Sequence, residues 1–148
     1  MRLREAVEND LVGLIELYRQ LNPDDEKITD ENKLYSTWNR ILINNSIMKV
    51  FVIESDEGSI ISSCVLAIIP NLTRGMRPFS IIENVITHKD YRNKGYGSQI
   101  ISKAIEHSKE NNCYKIMLLS STKLKEAHKF YEKMGFNSKD KIGFNKYL

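Results

Sequence analysis

The sequence has little of what marks an extracellular, metal-binding or membrane protein. Its 148 residues include two cysteines, three prolines and one tryptophan. Cys64 and Cys113 lie at or in apolar runs without histidines at metal-ligand spacing, so we expect buried thiols, no disulfide and no metal. No run approaches the roughly eighteen apolar residues of a membrane span, and the first residues lack a signal-peptide core. We therefore expect a cytoplasmic protein without a membrane partner.

Charge of one sign is also scarce. The chain has 22 Lys and Arg against 19 Asp and Glu, a net charge of +3, and the two signs are interspersed. So mild an excess does not predict nucleic-acid binding, although it suits an anionic cofactor. The composition, 41% hydrophobic and 28% charged, is typical of a globular protein. We expect one domain over residues 1–148, which buries about two thirds of its unfolded surface.

Hydrophobic periodicity predicts an α/β domain of the mixed, α+β kind. Two β-rich runs joined by Ser55–Gly58 indicate an antiparallel hairpin, whereas a strand, helix and strand after residue 80 imply parallel pairing. We expect strands at about 3–7, 49–54, 59–69, 80–87 and 114–120, a last hairpin within 136–148, and helices at about 9–21, 29–44, 98–111 and 123–134.

The most informative motif is the glycine turn Arg92-Asn93-Lys94-Gly95-Tyr96-Gly97, between a predicted strand and a predicted helix. Glycines let the backbone approach a ligand closely, and the first N–H groups of a helix attract anions, so a phosphate or pyrophosphate fits the turn. The spacing matches neither a Walker loop nor a dinucleotide fingerprint. A glycine turn that merely precedes a helix is the structural alternative.

Glu83 is unusual in its strand, because period-two alternation places it on one face with Ile81 and Val85. A partly desolvated carboxylate there has a raised pKa and can act as a general base near neutral pH. The structural alternative is an ion pair with Arg74 or Arg77. Those two arginines, in the loop before the strand, either bind a substrate or are solvated.

Tyr131 lies on the inward face of the last predicted helix, in the run Phe130-Tyr131-Glu132-Lys133-Met134-Gly135-Phe136. An inward aromatic is by default a core residue. Its phenol can alternatively donate a proton to a leaving group, the general-acid half of a reaction in which Glu83 is the base.

These motifs and their order resemble the GNAT superfamily of acetyl-CoA-dependent N-acetyltransferases over nearly the whole chain. The resemblance implies a mixed, strongly bent central sheet flanked by helices, with acetyl-CoA as cosubstrate. It implies Glu83 as the base and Tyr131 as the acid toward the departing thiolate. It assigns the pantetheine arm to the backbone of Val85 and Ile86, and the pyrophosphate to a turn made of Arg92, Asn93, Lys94, Gly95, Tyr96, Gly97 and Ser98.

Two positions depart from the pattern of that family. Leu124 stands where many members have an asparagine that contacts pantetheine. Glu83-Asn84 stands where glucosamine 6-phosphate N-acetyltransferases, which the chain also resembles, use a Glu-Asp pair; by alternation we expect Asn84 to face away from Glu83 and make a structural hydrogen bond. The resemblance implies that the acceptor is a primary amine. Arg74 and Arg77 in the loop favour a small metabolite that carries an anionic group. A protein or peptide amine, a non-catalytic acyl-CoA-binding module and a homodimer stay open.

Overall fold

The computed structural model describes all 148 residues and confirms the mixed α/β class. A five-stranded sheet in the order β1-β2-β3-β4-β5 is antiparallel through β4, and β5 is parallel to β4. Short 3₁₀ turns occupy Glu8–Asp10 and Lys89–Tyr91. The strands are β1 Arg2–Glu5, β2 Met48–Glu54, β3 Ile60–Ile69, β4 Phe79–Thr87 and β5 Ile116–Leu118; the helices are α1 Leu11–Leu21, α2 Glu31–Ile43, α3 Tyr96–Glu110 and α4 Lys125–Lys133.

The sheet separates two hydrophobic clusters. On one face α3 packs Ile100, Ile101 and Ala104 against strand residues such as Phe51 and Ile82, all of them buried. On the other face α1 and α2 cover a second cluster, whose members are Leu11, Leu14, Leu17, Trp38, Val50, Val52, Ile60 and Ile86. The helical spacing of these apolar residues is the pattern that predicted the helices from the sequence.

The first residues of α2 show why that helix begins where it does. The side chain of Asp30 accepts a hydrogen bond from the N–H of Lys33 at 2.9 Å, which satisfies one of the unpaired donors of the first turn. Trp38 is 5% exposed, and its indole N–H donates to the carbonyl oxygen of Glu8 at 3.1 Å. Together these contacts fix the start of α2 and hold Trp38 in the core.

Two expected elements differ in the structure. The apolar run 114–120 forms hydrogen-bonded strand only over Ile116–Leu118, because β4 diverges from it after Ile82. The hairpin expected within 136–148 does not form: residues 137–148 adopt no helix or strand and are all exposed. An alternating pattern indicates strand-forming residues, but a strand also needs a partner edge, and these residues pair with none in the chain.

None of the helices is long and apolar enough to cross a membrane. No three His, Cys, Asp or Glu side chains are grouped so as to hold a metal ion.

A buried ion pair fixes the first strand to the start of α1. The guanidinium of Arg4 donates to both carboxylate oxygens of Asp10 at 2.6 and 2.8 Å, and to Glu54 on β2 at 2.9 Å. The N–H of Val7 adds a third bond to Asp10 at 2.7 Å. Burial alone would raise the pKa of Asp10, but the hydrogen bonds from Arg4 and Val7 and the charge of Arg4 outweigh it and hold that pKa below its usual value.

We expect Asp10→Asn to reduce the free energy of unfolding by about 2 kcal/mol at neutral pH, because Arg4 loses its main ionic partner. The pKa of Asp10 is lower in the folded state, so its stabilisation is complete above about pH 4 and is lost as the pH falls through the folded value. Urea unfolding between pH 7 and pH 3 measures the difference. Asp24→Asn, at an exposed position, is the control, and equal stability of the two variants would contradict the assignment.

Candidate active site

The site begins where the two parallel strands separate. β4 pairs with β5 only at Ser80, Ile81 and Ile82, and then continues to Thr87 with a partner on the β3 side alone. Residues 83–87 therefore face an open wedge on the β5 side. Backbone N–H and C=O groups require hydrogen-bond partners, so this edge is suited to a ligand that carries amide groups of its own.

A β-bulge at Asn84 produces the divergence. Glu83 pairs with Val65 and Ile86 pairs with Ser63, so three steps along β4 oppose two along β3. Asn84 has φ of 50°, a left-handed conformation that asparagine tolerates better than most residues. The extra residue reverses the alternation: Ile82 packs under α3, whereas Ile86 packs under α1.

The bulge also corrects the expectation for Asn84. Its side chain is exposed, and the backbone conformation rather than a structural hydrogen bond is what this residue contributes. Sequence alternation missed the bulge, because nothing in the pattern of 80–87 marks an inserted residue.

Glu83 lies at the mouth of the wedge and is exposed, so the expectation of a partly desolvated carboxylate is wrong. The alternative of an ion pair with Arg74 or Arg77 is also wrong, since Glu83 forms no salt bridge. Its pairing with Val65 places it on the sheet face covered by α1 and α2. The carboxylate is therefore free to meet a second substrate on that face.

The two loop arginines precede Phe79, the first residue of β4, which itself lies about 13 Å along the strand from Glu83. Arg77 donates to the carbonyl oxygens of Asn112 and Cys113 at 3.2 Å each, and so holds the loop before β4 against the loop before β5. The guanidinium of Arg74 lies 5.9 Å from the ring centre of Tyr114. Arg77 is thus a structural brace, and Arg74 is the arginine with its hydrogen-bond donors available.

The glycine turn forms the other end of the wedge. Gly95 has φ of 86° and caps α3, which begins at Tyr96, two residues earlier than expected. The N–H groups of Tyr96, Gly97 and Ser98 have no backbone acceptor, as is usual for the first turn of a helix. Together with the positive end of the helix dipole, these N–H groups make the turn suited to binding an anion.

The basic side chains of the turn stabilise its shape. Arg92 Nε donates to the carbonyl oxygen of Thr87 at 3.1 Å, and Lys94 Nζ donates to that of Asp90 at 2.9 Å. Lys94 Nζ also lies 5.1 Å from the ring centre of Tyr91. The anion site therefore depends on backbone N–H groups, while these two side chains order the loop that presents them.

The end of α4 fixes Tyr131 by a Schellman motif. The N–H of Phe136 donates to the carbonyl oxygen of Tyr131, and that of Gly135 to Glu132, each at 3.0 Å, with Gly135 at φ of 91°. The ring of Tyr131 lies 5.1 Å from Phe130 and 6.0 Å from Phe136, centre to centre. Local chain geometry and packing together orient the phenol.

The phenol of Tyr131 is half-buried and stays protonated well into the alkaline range. Burial raises its pKa above the usual value, and the negative charge of Glu83 adds to the effect. The phenol therefore carries a proton that it can donate, and it lies close enough to Glu83 for that charge to affect it.

Tyr18 is a further residue near the site, and no motif in the sequence distinguishes it. It lies half-buried on α1, with its hydroxyl 3.5 Å from Ser63 Oγ, and burial raises its pKa. Ser63 pairs with Ile86 two positions from the Glu83 pair, so Tyr18 and Glu83 lie on one face, about 7 Å apart along β3. Helical spacing gave no signal, because a core tyrosine has the same pattern.

Leu124 directly precedes α4 and is 56% exposed. It offers no side-chain hydrogen bond where many GNAT members have asparagine. Any ligand contact at this position is therefore apolar.

Comparison with known proteins agrees with this geometry. Residues 11–136 match the acetyltransferase (GNAT) family. The chain therefore belongs to that family, as its motifs indicated.

Particular relatives are similar over different shares of their length. Glucosamine 6-phosphate N-acetyltransferase of Trypanosoma brucei brucei is 38% identical over 95 residues, which cover 64% of this chain and 62% of that protein. The solved structure of a putative acetyltransferase from Agrobacterium tumefaciens has a TM-score of 0.91 and 38% identity over the full length of both chains. Glucosamine-6-phosphate N-acetyltransferase from Arabidopsis thaliana has a TM-score of 0.87 and 26% identity, covering 99% of this chain and 97% of that one.

The two thiols of the chain should react at very different rates. Cys64 is fully buried, and burial raises its pKa to about 12, whereas Cys113 is half-buried. We expect a chromogenic disulfide reagent near pH 8 to label Cys113 in the native protein and Cys64 only after unfolding. Cys113→Ser should abolish the fast phase and Cys64→Ser should keep it. A fast phase of two thiols would contradict the buried position of Cys64.

Proposed function

We propose that this protein transfers the acetyl group of acetyl-CoA to the primary amine of a small metabolite by direct attack. The observation that carries the proposal is the open edge of β4, with an anion-binding helix terminus at one end and Glu83 and Tyr131 at the other. Membership of the GNAT family supports the same reaction.

Acetyl-CoA carries hydrogen-bonding groups that would pair with the unpaired backbone groups of the wedge. Its pyrophosphate would accept hydrogen bonds from the turn amides around Tyr96, Gly97 and Ser98, which have no backbone acceptor. The two amide groups of its pantetheine arm would pair with the free edge of β4 at Val85 and Ile86, as an added strand would. Arg92 and Lys94 would contribute by keeping the turn in shape.

Glu83 and Tyr131 would divide the proton transfers. An ammonium ion has no lone pair, so Glu83 takes a proton from the acceptor, directly or through water, and the neutral amine attacks the thioester carbonyl. As the C–N bond forms and the C–S bond breaks, the thiolate of coenzyme A receives a proton from the phenol of Tyr131. Substrate bound in the wedge would cover Glu83, which is exposed, and exclude water from the carboxylate during the reaction.

The acceptor we favour is a small amine that carries an anionic group, such as an amino sugar phosphate. Two relatives named as glucosamine 6-phosphate N-acetyltransferases support this class. Arg74 and Arg77 lie at the opposite end of β4 from Glu83, so we assign the contact with the anionic group to neither of them. A protein or peptide amine, or acyl-CoA binding without transfer, would be the outcome if no small amine is acetylated.

The glycine turn gives a test of cofactor binding with an internal control. Gly95 and Gly58 both have positive φ, 86° and 82°, and an added Cβ meets no atom within 4 Å at either. Substitution by alanine at either position should therefore lower the free energy of unfolding by about 1 kcal/mol, because of backbone strain. We expect only Gly95→Ala to weaken coenzyme A binding, by about tenfold or more; isothermal titration measures it, and equal affinities would remove the turn from the site.

The reaction itself is tested by thiol release from acetyl-CoA over a panel of small amines, with and without phosphate. For the best acceptor we expect Glu83→Gln to lower kcat about 100-fold, and Tyr131→Phe to lower it about tenfold, with little change in coenzyme A affinity. Glu126→Gln and Tyr35→Phe, at exposed positions, are the matched controls. Unchanged turnover in both test variants would overturn the assigned roles, and binding without transfer to any amine would favour the non-catalytic alternative.

A further inference from the structure

Two hydroxyl side chains form a hydrogen-bonded pair at the end of β4, and neither takes part in the proposed proton transfers. Ser62 on β3 is fully buried, and its Oγ lies 2.9 Å from Thr87 Oγ1. The Ser62 hydroxyl also donates to the carbonyl oxygen of Ile86 at 3.0 Å. A polar group that loses its partner in such a place has no water to replace the bond, so the pair strongly favours one arrangement.

The direction of these two bonds follows from the number of protons. Ser62 has one hydroxyl proton, and that proton lies in the bond to the carbonyl oxygen of Ile86. Thr87 is therefore the donor in the bond between the two hydroxyls. Because that donor points at the neighbouring strand, β3 holds the side-chain rotamer of Thr87.

Thr87 also contacts both ends of the glycine turn. Its carbonyl oxygen accepts the hydrogen bond from Arg92 Nε at 3.1 Å, which closes the connection between β4 and the turn. Its hydroxyl oxygen lies against the first turn of α3, since an added Cβ at Gly97 would be 3.6 Å from it. The same Cβ position is 3.5 Å from Cζ of Phe130 on α4. A single residue thus joins β3, the connection and the start of α3.

We propose that Ser62 and Thr87 are positioning residues for the coenzyme. Their hydrogen bond holds the end of β4 so that the unpaired N–H groups of the glycine turn converge on the pyrophosphate. This inference rests on the proposed function, because it concerns the site assigned there to acetyl-CoA. Several donors that bind one anion must keep their relative positions closely, so loss of the pair should weaken coenzyme binding beyond its effect on the fold.

A second pair of hydroxyls, at the other end of β4, gives a matched control. Ser80 on β4 and Ser108 on α3 are buried with their Oγ atoms 2.8 Å apart, and the Ser108 hydroxyl donates to the carbonyl oxygen of Ala104 at 2.8 Å. The chemistry is the same, but Ser108 lies about 16 Å along the axis of α3 from Gly97. Loss of either pair should lower stability, whereas only loss of the first should disturb the turn.

Isothermal titration with coenzyme A tests the inference. Thr87→Val keeps the branched shape and removes the hydroxyl, and we expect this variant and Ser62→Ala each to raise the dissociation constant about tenfold. Thr87→Ser should restore a value near that of the unaltered protein. Ser108→Ala should lower the urea concentration of half-unfolding to a similar extent and leave the dissociation constant unchanged. Unaltered affinity in Thr87→Val, or an equal loss in Ser108→Ala, would overturn the inference.

Amide hydrogen exchange of the protein without coenzyme, followed by NMR, separates this inference from the proposed function. The N–H groups of His88 and Gln99 are hydrogen-bonded on either side of the turn. We expect Thr87→Val to speed the exchange of both, and Ser108→Ala to leave both unchanged. Unchanged exchange in Thr87→Val would refute the positioning role. If the unaltered protein binds no coenzyme A, the proposed function fails, and the exchange rates still decide whether the pair holds the turn.

Discussion

The structure depends on a short pairing: β4 and β5 share only three register positions before they part. That limit is set by the bulge at Asn84, which shifts the alternation and turns the second half of β4 away from its neighbour. A sheet fully paired at this point would have no unsatisfied edge and no space for a ligand. Because buried residues flank the bulge on both sides, Ile82 in one hydrophobic cluster and Ile86 in the other, the opening is part of the fold itself.

Some parts of the site are determined by a short stretch of sequence, and others by the pairing of distant strands. The glycine turn and the end of α4 are each encoded within about six residues, as a left-handed glycine followed by a defined hydrogen-bond pattern. The position of Glu83 relative to α1 and the wedge depends instead on the register of β4 against β3. The glycine turn and the end of α4 therefore tolerate changes elsewhere in the chain. A one-residue slip of β4, by contrast, would move the carboxylate of Glu83 to the other face of the sheet.

What the sequence could predict follows this division. The glycine turn and the four helices were predicted because each has a short-range signal. The exposure of Glu83, the conformation of Asn84 and the length of β5 were not, because each depends on which strand edge is paired. Arg77 was indistinguishable from a ligand-binding arginine, since its carbonyl acceptors lie 35 and 36 residues away.

The motif that ends α4 has a consequence for how such a protein can change over evolution. The two backbone hydrogen bonds at Gly135 and Phe136 hold Tyr131 by geometry internal to its own helix, so the loops that approach the wedge can vary in length and chemistry without displacing the phenol. The position of the Tyr131 phenol and the chemistry of the loops around it are therefore separable traits. A lineage can change the loops while the hydrogen-bonded turn keeps the phenol in place.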